Sequence, residues 1–125
     1  AFQACSKLTS ANIQSADEIA AYLFEGCSLL SDLTFSGSIT KIGNYAFMGC
    51  DMLTSFTIPE SVVSIGDYAF ADCGSLTEMV IPEAVQKLGM GVFYSSGVTA
   101  VTIKAPITVL PVSFFDGCKK LTSVD

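Results

Sequence analysis

The 125-residue chain is half hydrophobic with only 14% charged residues, a balance that argues against disorder and suits one domain spanning 1–125. Twelve acidic residues stand against six lysines, with no arginine, histidine or tryptophan, for a net charge of −6. That field opposes phosphate and nucleic-acid partners, and the missing imidazole removes the Ser/His and Cys/His nucleophile pairs and the commonest general base.

No uncharged stretch approaches the roughly 18 apolar residues of a membrane span, so no membrane insertion is expected. The opening AFQACSKLTS lacks the basic start and apolar run of a signal peptide; a leader is expected to have been removed or to lie outside this sequence. No N-x-[ST] sequon occurs, so the chain carries no N-glycosylation hint of a secretory route.

The chain is organised by a repeat. Phenylalanines fall at 2, 24, 47, 70, 93 and 115, spaced by 22 or 23 residues. A second column reads Cys5, Cys27, Cys50, Cys73, Ser96, Cys118, and a third reads Leu8, Leu30, Leu53, Leu76, Val98, Leu121. A unit of this length cannot bury its own apolar side chains and needs a copy on each side.

In the first period, Ser15 with Glu18 forms a capping-box signature, and residues 16–24 hold no Gly or Pro, which predicts a helix there. In the second, Leu33 and Phe35 alternate as a strand does, and Ser36-Gly37-Ser38 predicts a turn. The third and fourth periods place Phe56/Ile58 before Pro59 and Met79/Ile81 before Pro82, each a strand of three to five residues ended by proline. Gly66-Asp67 and Gly89-Met90 then open one turn of α or 3₁₀ helix before the next Phe. In the fifth period a residue is lost near Ser95-Ser96-Gly97, and Pro106 and Pro111 predict a local deviation that leaves the stack intact. An abrupt start and an end partway through a sixth strand are expected of a piece of a longer array, or of ends that meet a partner or one another.

The pattern C-x-x-L-T-x-x-x-I-P-x-x-V-x-x-I-G-x-x-A-F over 50–70 and, more loosely, 73–93 resembles the BspA-type leucine-rich repeat. The resemblance implies an α/β repeat solenoid of about five repeats. It would be a right-handed leucine-rich-repeat coil with short parallel strands on its concave face and short 3₁₀ or α turns elsewhere. It also implies an extracellular or cell-surface protein of the kind proposed for adhesion in host-associated bacteria and some protists. The asparagine of the general repeat is Ser61 here and Ala84 one repeat later, so no asparagine ladder is expected at that position.

Three columns invite a functional reading. The thiols would lie one per coil, about 4.8 Å apart and pointing the same way, beyond the ~3.8 Å Cβ separation that a disulfide prefers; they are expected as free, buried, small core residues, a role that Ser96 in the fifth slot also fits. Tyr22, Tyr45 and Tyr68 would present one ring per coil, either to a sugar or, as is commoner, half-buried with solvated hydroxyls. Strand alternation points Phe56/Ile58 and Met79/Ile81 inward and leaves on the concave face Asn12, Gln14, Asp32, Thr34, Ser55, Thr57, Glu78, Val80, Thr102 and Lys104. These are the candidate binding residues. The carboxylates do not pair as acid/base chemistry requires, and no catalytic, metal or cofactor residue set is expected. The composition and repeat point to a non-enzymatic module that binds a protein or glycan, with a structural spacer of a larger surface protein as the alternative.

Overall fold

Each period buries its apolar columns against the next by coiling into a parallel β-solenoid of about five turns. The structure, a computed structural model, describes residues 3–14, 17–54 and 56–125. On one side of the coil lie β1 (Ser10–Gln14), β3 (Asp32–Ser36), β6 (Glu78–Ile81), β8 (Ala100–Ile103) and β9 (Ser123–Val124). On the other lie the two-residue strands β2 (Glu18–Ile19), β4 (Lys41–Ile42), β5 (Ser64–Ile65) and β7 (Lys87–Leu88), which form one ladder in that order. Every pairing is parallel and joins residues one repeat apart, such as Ile13 with Phe35 and Ile42 with Ile65.

The core is the set of columns stacked along the axis. Phe24, Phe47, Phe70 and Phe93 are fully buried, and their rings lie nearly parallel at 5.5, 5.3 and 5.9 Å between centroids. Leu30, Leu53, Leu76 and Val98 form a second buried line, and Ile19, Ile42 and Ile65 a third. Phe2, at the head of the aromatic column, lies outside the described residues.

Three sequence expectations change. The helix expected over 16–24 does not form: Glu18 and Ile19 are strand β2 and residues 21–26 are turn, while Ser15 and Ala16 of the expected cap lie outside the described residues. Nor do one-turn helices precede the later phenylalanines; among the described residues the fold has strands and turns only. The reason is where the N–H groups go. Tyr45, Phe47 and Gly49 donate to the carbonyls of Asp67, Ala69 and Ala71 in the next coil at 2.8, 2.9 and 2.9 Å, and Tyr68, Phe70 and Asp72 repeat the pattern one coil on. A helix would need those donors for its own i−4 carbonyls. To aim alternate donors along the axis, the chain adopts left-handed φ two residues before each phenylalanine (Tyr22 62°, Tyr45 60°, Tyr68 54°) and two after it (Gly26 75°, Gly49 77°, Asp72 55°).

The third change is in the strands. β3 and β6 form where Leu33/Phe35 and Met79/Ile81 predict them, but residues 56–58 are not a strand, and the ladder on that side falls into β1–β3 and β6–β8–β9. The inward column reads Ala11, Leu33, Phe56, Met79, Val101, with Phe56 its one aromatic member. Phe56 wedges its ring between Phe47 and Phe70, 5.0 and 5.3 Å away and tilted 48° and 46°, and meets Phe35 edge-on at 5.6 Å.

The Ile-Gly step is a point of close approach between coils. A Cβ on Gly66 would collide with Asn44 Oδ1, with Asn44 N at 2.6 Å and with Gly43 C at 2.7 Å, and Gly43 and Gly89 stand in equivalent positions. The residue after each glycine uses the proximity: Asn44 Oδ1 accepts from Asp67 N–H at 2.8 Å, and Asp67 Oδ1 accepts from Met90 N–H at 3.0 Å. At the leucine-rich-repeat asparagine position, Ser61 Oγ donates to Ile39 O of the coil before at 2.6 Å. In the fifth coil, no strand follows β7 in its ladder among the described residues, since Pro106 and Pro111 cannot donate to one. The stack nevertheless continues through Gly91 N–H to Val112 O at 3.0 Å and through β8–β9.

Candidate functional site

Alternation along the strands puts the candidate residues on the surface. Asn12 and Gln14 of β1 are exposed and lie in register with Thr34 and Ser36 of β3, and Asp32 pairs with Ser10. Glu78 and Val80 of β6 are exposed, Val80 is in register with half-buried Thr102 of β8, and exposed Lys104 follows, anchored by its N–H to Ile81 O at 2.9 Å. Thr57 is exposed between buried Phe56 and Ile58. Ser55 lies outside the described residues.

These residues do not make one continuous sheet. The missing pairing at 56–58 opens a cleft on each side of Thr57. One, about 360 Å³, is lined by Ser31, Asp32, Leu33, Phe35, Phe56 and Thr57. The other, about 210 Å³, runs from Thr57 and Ile58 to Glu60, Glu78, Val80 and Lys104. Asn12, Gln14, Thr34 and Thr102 line neither cleft, whereas Asp32 lines the first, Glu78, Val80 and Lys104 the second, and Thr57 both. Sequence alternation predicted which strand side chains are exposed and did not predict the break at residues 56–58.

The thiol column points inward. None of the five cysteines is in a disulfide; Cys27, Cys50 and Cys73 are buried, and Cys5 and Cys118 half-buried. Besides filling space, the thiols bond between coils: Cys50 Sγ donates to Phe24 O at 3.3 Å, Cys73 Sγ to Phe47 O at 3.1 Å and Cys118 Sγ to Phe93 O at 2.9 Å. Desolvation, helped by neighbouring Cys27 and Asp51, pushes the Cys50 thiol up to about 12, and burial beside Cys50 raises Cys73 well above the ordinary thiol value. Thiolate chemistry is therefore suppressed where the column is deepest.

A pH dependence follows. The unfolded chain releases the Cys50 proton near ~8.5 whereas the folded chain holds it to about 12. Its contribution is intact below about pH 8.5 and is lost as pH rises toward 12, by about 1.4 kcal/mol per pH unit. Urea melts between neutral pH and roughly pH 10 should show stability falling on the alkaline side, and Cys50→Ala should make that fall shallower. An unchanged slope in the variant would contradict the assignment.

The tyrosines settle into a stack that leaves no ring face for a sugar between coils. Tyr22 and Tyr45 are 5.0 Å apart and 8° from parallel, Tyr45 and Tyr68 are 5.4 Å and 14°, and Tyr94 closes the row edge-on to Tyr68 at 5.9 Å. Partial burial, then the neighbouring Tyr22 and Tyr68, lifts the Tyr45 phenol above its usual value. Gly91 continues the column, where a Cβ would fall 2.5 Å from Tyr68 Cε1. Among the described residues no three His, Cys, Asp or Glu side chains converge as a metal-ligand group.

The repeat and the coil both have known counterparts. The family model described as BspA type leucine rich repeat region matches residues 1–122 in six copies. The crystal structure of a leucine-rich repeat protein of T. pallidum superposes with a TM-score of 0.93 at 27% identity over 98% of this chain, and the chain spans 58% of that protein's length. A leucine-rich repeat protein from Bacteroides ovatus superposes with a TM-score of 0.81 at 24% identity, over 90% of this chain and 33% of that one, a likeness of fold. No curated protein matches the chain.

Proposed function

The chain belongs to the BspA-type leucine-rich repeat family, and from that premise we propose that it is a non-enzymatic recognition module whose concave face binds a protein or glycan outside the cell. Leucine-rich repeats of this kind serve as interaction or structural modules, and proteins carrying them are typically surface-located or secreted. Among the described residues no helix is long and apolar enough to cross a membrane. The observation that supports the reading is that Asp32, Thr57, Glu78, Val80 and Lys104, among the described candidate residues, line two adjoining clefts. Asn12, Gln14, Thr34 and Thr102 would contact the outer parts of a larger ligand. The module would be one domain of a longer array, a reading supported by its spanning 58% of its T. pallidum relative.

The alternative reading, a spacer that holds another domain away from the cell, draws on the turn ladder, which runs from coil to coil through Phe24, Phe47, Phe70 and Phe93 and needs no ligand. Binding distinguishes the two. The isolated domain is expected to bind at least one member of a panel of extracellular-matrix proteins and glycans. The double variant Thr57→Lys, Glu78→Lys is expected to abolish that binding with an unchanged melting temperature, because both side chains are exposed. Retained binding in the variant would move the contact elsewhere on the coil, and silence across the panel would favour the spacer.

A further inference from the structure

On either side of the gap the concave backbone is paired. Ser31 and Asp32 N–H donate to Thr9 O at 3.0 and 3.2 Å ahead of β1–β3, and Thr99 and Ala100 N–H donate to Thr77 O at 2.7 and 3.3 Å ahead of β6–β8. Residues 56–58 make no such bond to either neighbour among the described residues. Phe56 and Ile58 are 7% and 3% exposed, so their backbone donors and acceptors sit in a little-exposed place with no protein partner. Folded chains resolve that situation with ordered water or a ligand.

The geometry restricts the occupant. Before and after the gap the coils are pinned by Met52 N–H to Ser28 O at 3.2 Å, Gly49 N–H to Ala71 O at 2.9 Å, Val63 N–H to Thr40 O at 2.7 Å and Gln86 N–H to Val63 O at 2.7 Å. An inserted polypeptide strand needs about 4.8 Å on each of its sides, and coils pinned at one spacing cannot open to admit it. The larger cleft, at about 360 Å³, lies at the low end of the roughly 300–1,000 Å³ of small-ligand sites. Its lining includes Asp32, Thr57, the half-buried Phe35 and the buried Phe56, and the backbone of Phe56 and Thr57 has no partner among the described residues. A carboxylate accepts from two neighbouring hydroxyls at once, a hydroxyl and backbone groups both give and take hydrogen bonds, and a ring edge packs on C–H surface.

We infer that this cleft is a subsite for a single neutral hexose unit of a glycan, held by Asp32 and Thr57 through vicinal hydroxyls while its remaining hydroxyls replace water at the unpaired backbone of Phe56 and Thr57. The inference rests on the concave face being the recognition surface. Asp32 on this side and Glu60 and Glu78 across Thr57, with Lys104 the lone cation among the cleft residues, select against acidic or sulfated sugars.

The test is amide-resolved NMR titration of the domain with the methyl glycosides of glucose, galactose, mannose and N-acetylglucosamine, beside glucuronic acid. At least one neutral glycoside is expected to shift the amides of residues 32–36 and 57–58 saturably in the millimolar range, and glucuronic acid to leave them unmoved. Asp32→Asn and Thr57→Val, near-isosteric changes of exposed residues, should preserve the spectrum elsewhere, and Asp32→Asn should weaken binding about tenfold or more. In the free protein, Thr57 and Ile58 amides should exchange much faster than those of Met79 and Ile81, which face β8 in the parallel ladder. Silence from every neutral glycoside, shifts confined to other coils, or exchange at Thr57 and Ile58 as slow as in β6 would each overturn the sugar subsite. If the glycosides are silent while a protein partner still binds through Thr57 and Glu78, the subsite alone fails; if neither binds, the recognition reading fails with it.

Discussion

Gly66→Ala is expected to destabilise the domain by about 3 kcal/mol, at the upper end of what overpacking usually costs. The added methyl meets Asn44 N at 2.6 Å and Gly43 C at 2.7 Å, and these are backbone atoms of the coil beneath, which cannot rotate away as a side-chain tip would. Relief requires coils two and three to separate, which strains the hydrogen bonds from Gly66 N–H to Ile42 O at 2.8 Å and from Asp67 N–H to Asn44 Oδ1 at 2.8 Å. Gly74 supplies the internal control, since a Cβ there meets nothing within 4 Å. Gly74→Ala should be neutral or stabilising by up to about 1 kcal/mol, through the lower entropy of the unfolded chain. Thermal melts of the two variants should differ by roughly 10 °C or more. Equal melting temperatures would show that the Ile-Gly step is not the close contact between coils.

Phe70→Ala should be still more damaging, by about 3–5 kcal/mol. Phe70 is fully buried at the centre of the aromatic stack, 5.3 Å from Phe47, 5.9 Å from Phe93 and 5.3 Å from Phe56. Removing it leaves a void that three rings line. Pinned at both ends by the turn ladder, the coils collapse into it poorly, which places the cost toward the upper part of that range. Equilibrium denaturation gives the value directly, and a loss below about 1 kcal/mol would refute the stacked-core assignment.

The two variants probe different parts of the same repeat, and the parts differ in how they could be read from the chain. The columns of Phe, Leu and Ile announced the stack, because a side chain that must be buried against its own copy recurs at the repeat length whatever the backbone does between. Strand alternation likewise predicted Asn12, Asp32, Thr57, Glu78 and Lys104 as exposed, as they are, since successive side chains of an extended segment point to opposite sides. Local propensity misled at residues 16–24, where a run without Gly or Pro reads as helix. The donors of Tyr22 and Phe24 instead go to the carbonyls of Asn44 and Ala46, 2.9 and 2.8 Å away in the next coil, and no local pattern shows a partner 22 residues distant. The thiols were legible as small core residues, but their S–H bonds to the carbonyls of Phe24, Phe47 and Phe93 were not.

By itself, then, the sequence determined the repeat length, the inward columns and the family, because burial against an identical neighbour leaves a periodic trace in residue type. Only the tertiary structure decided the backbone pairing: that left-handed turns replace helices, and that the concave ladder opens at residues 56–58. At that opening Phe56 packs against Phe35, Phe47 and Phe70, which lie on three different coils, and such a meeting exists only once the coils are stacked.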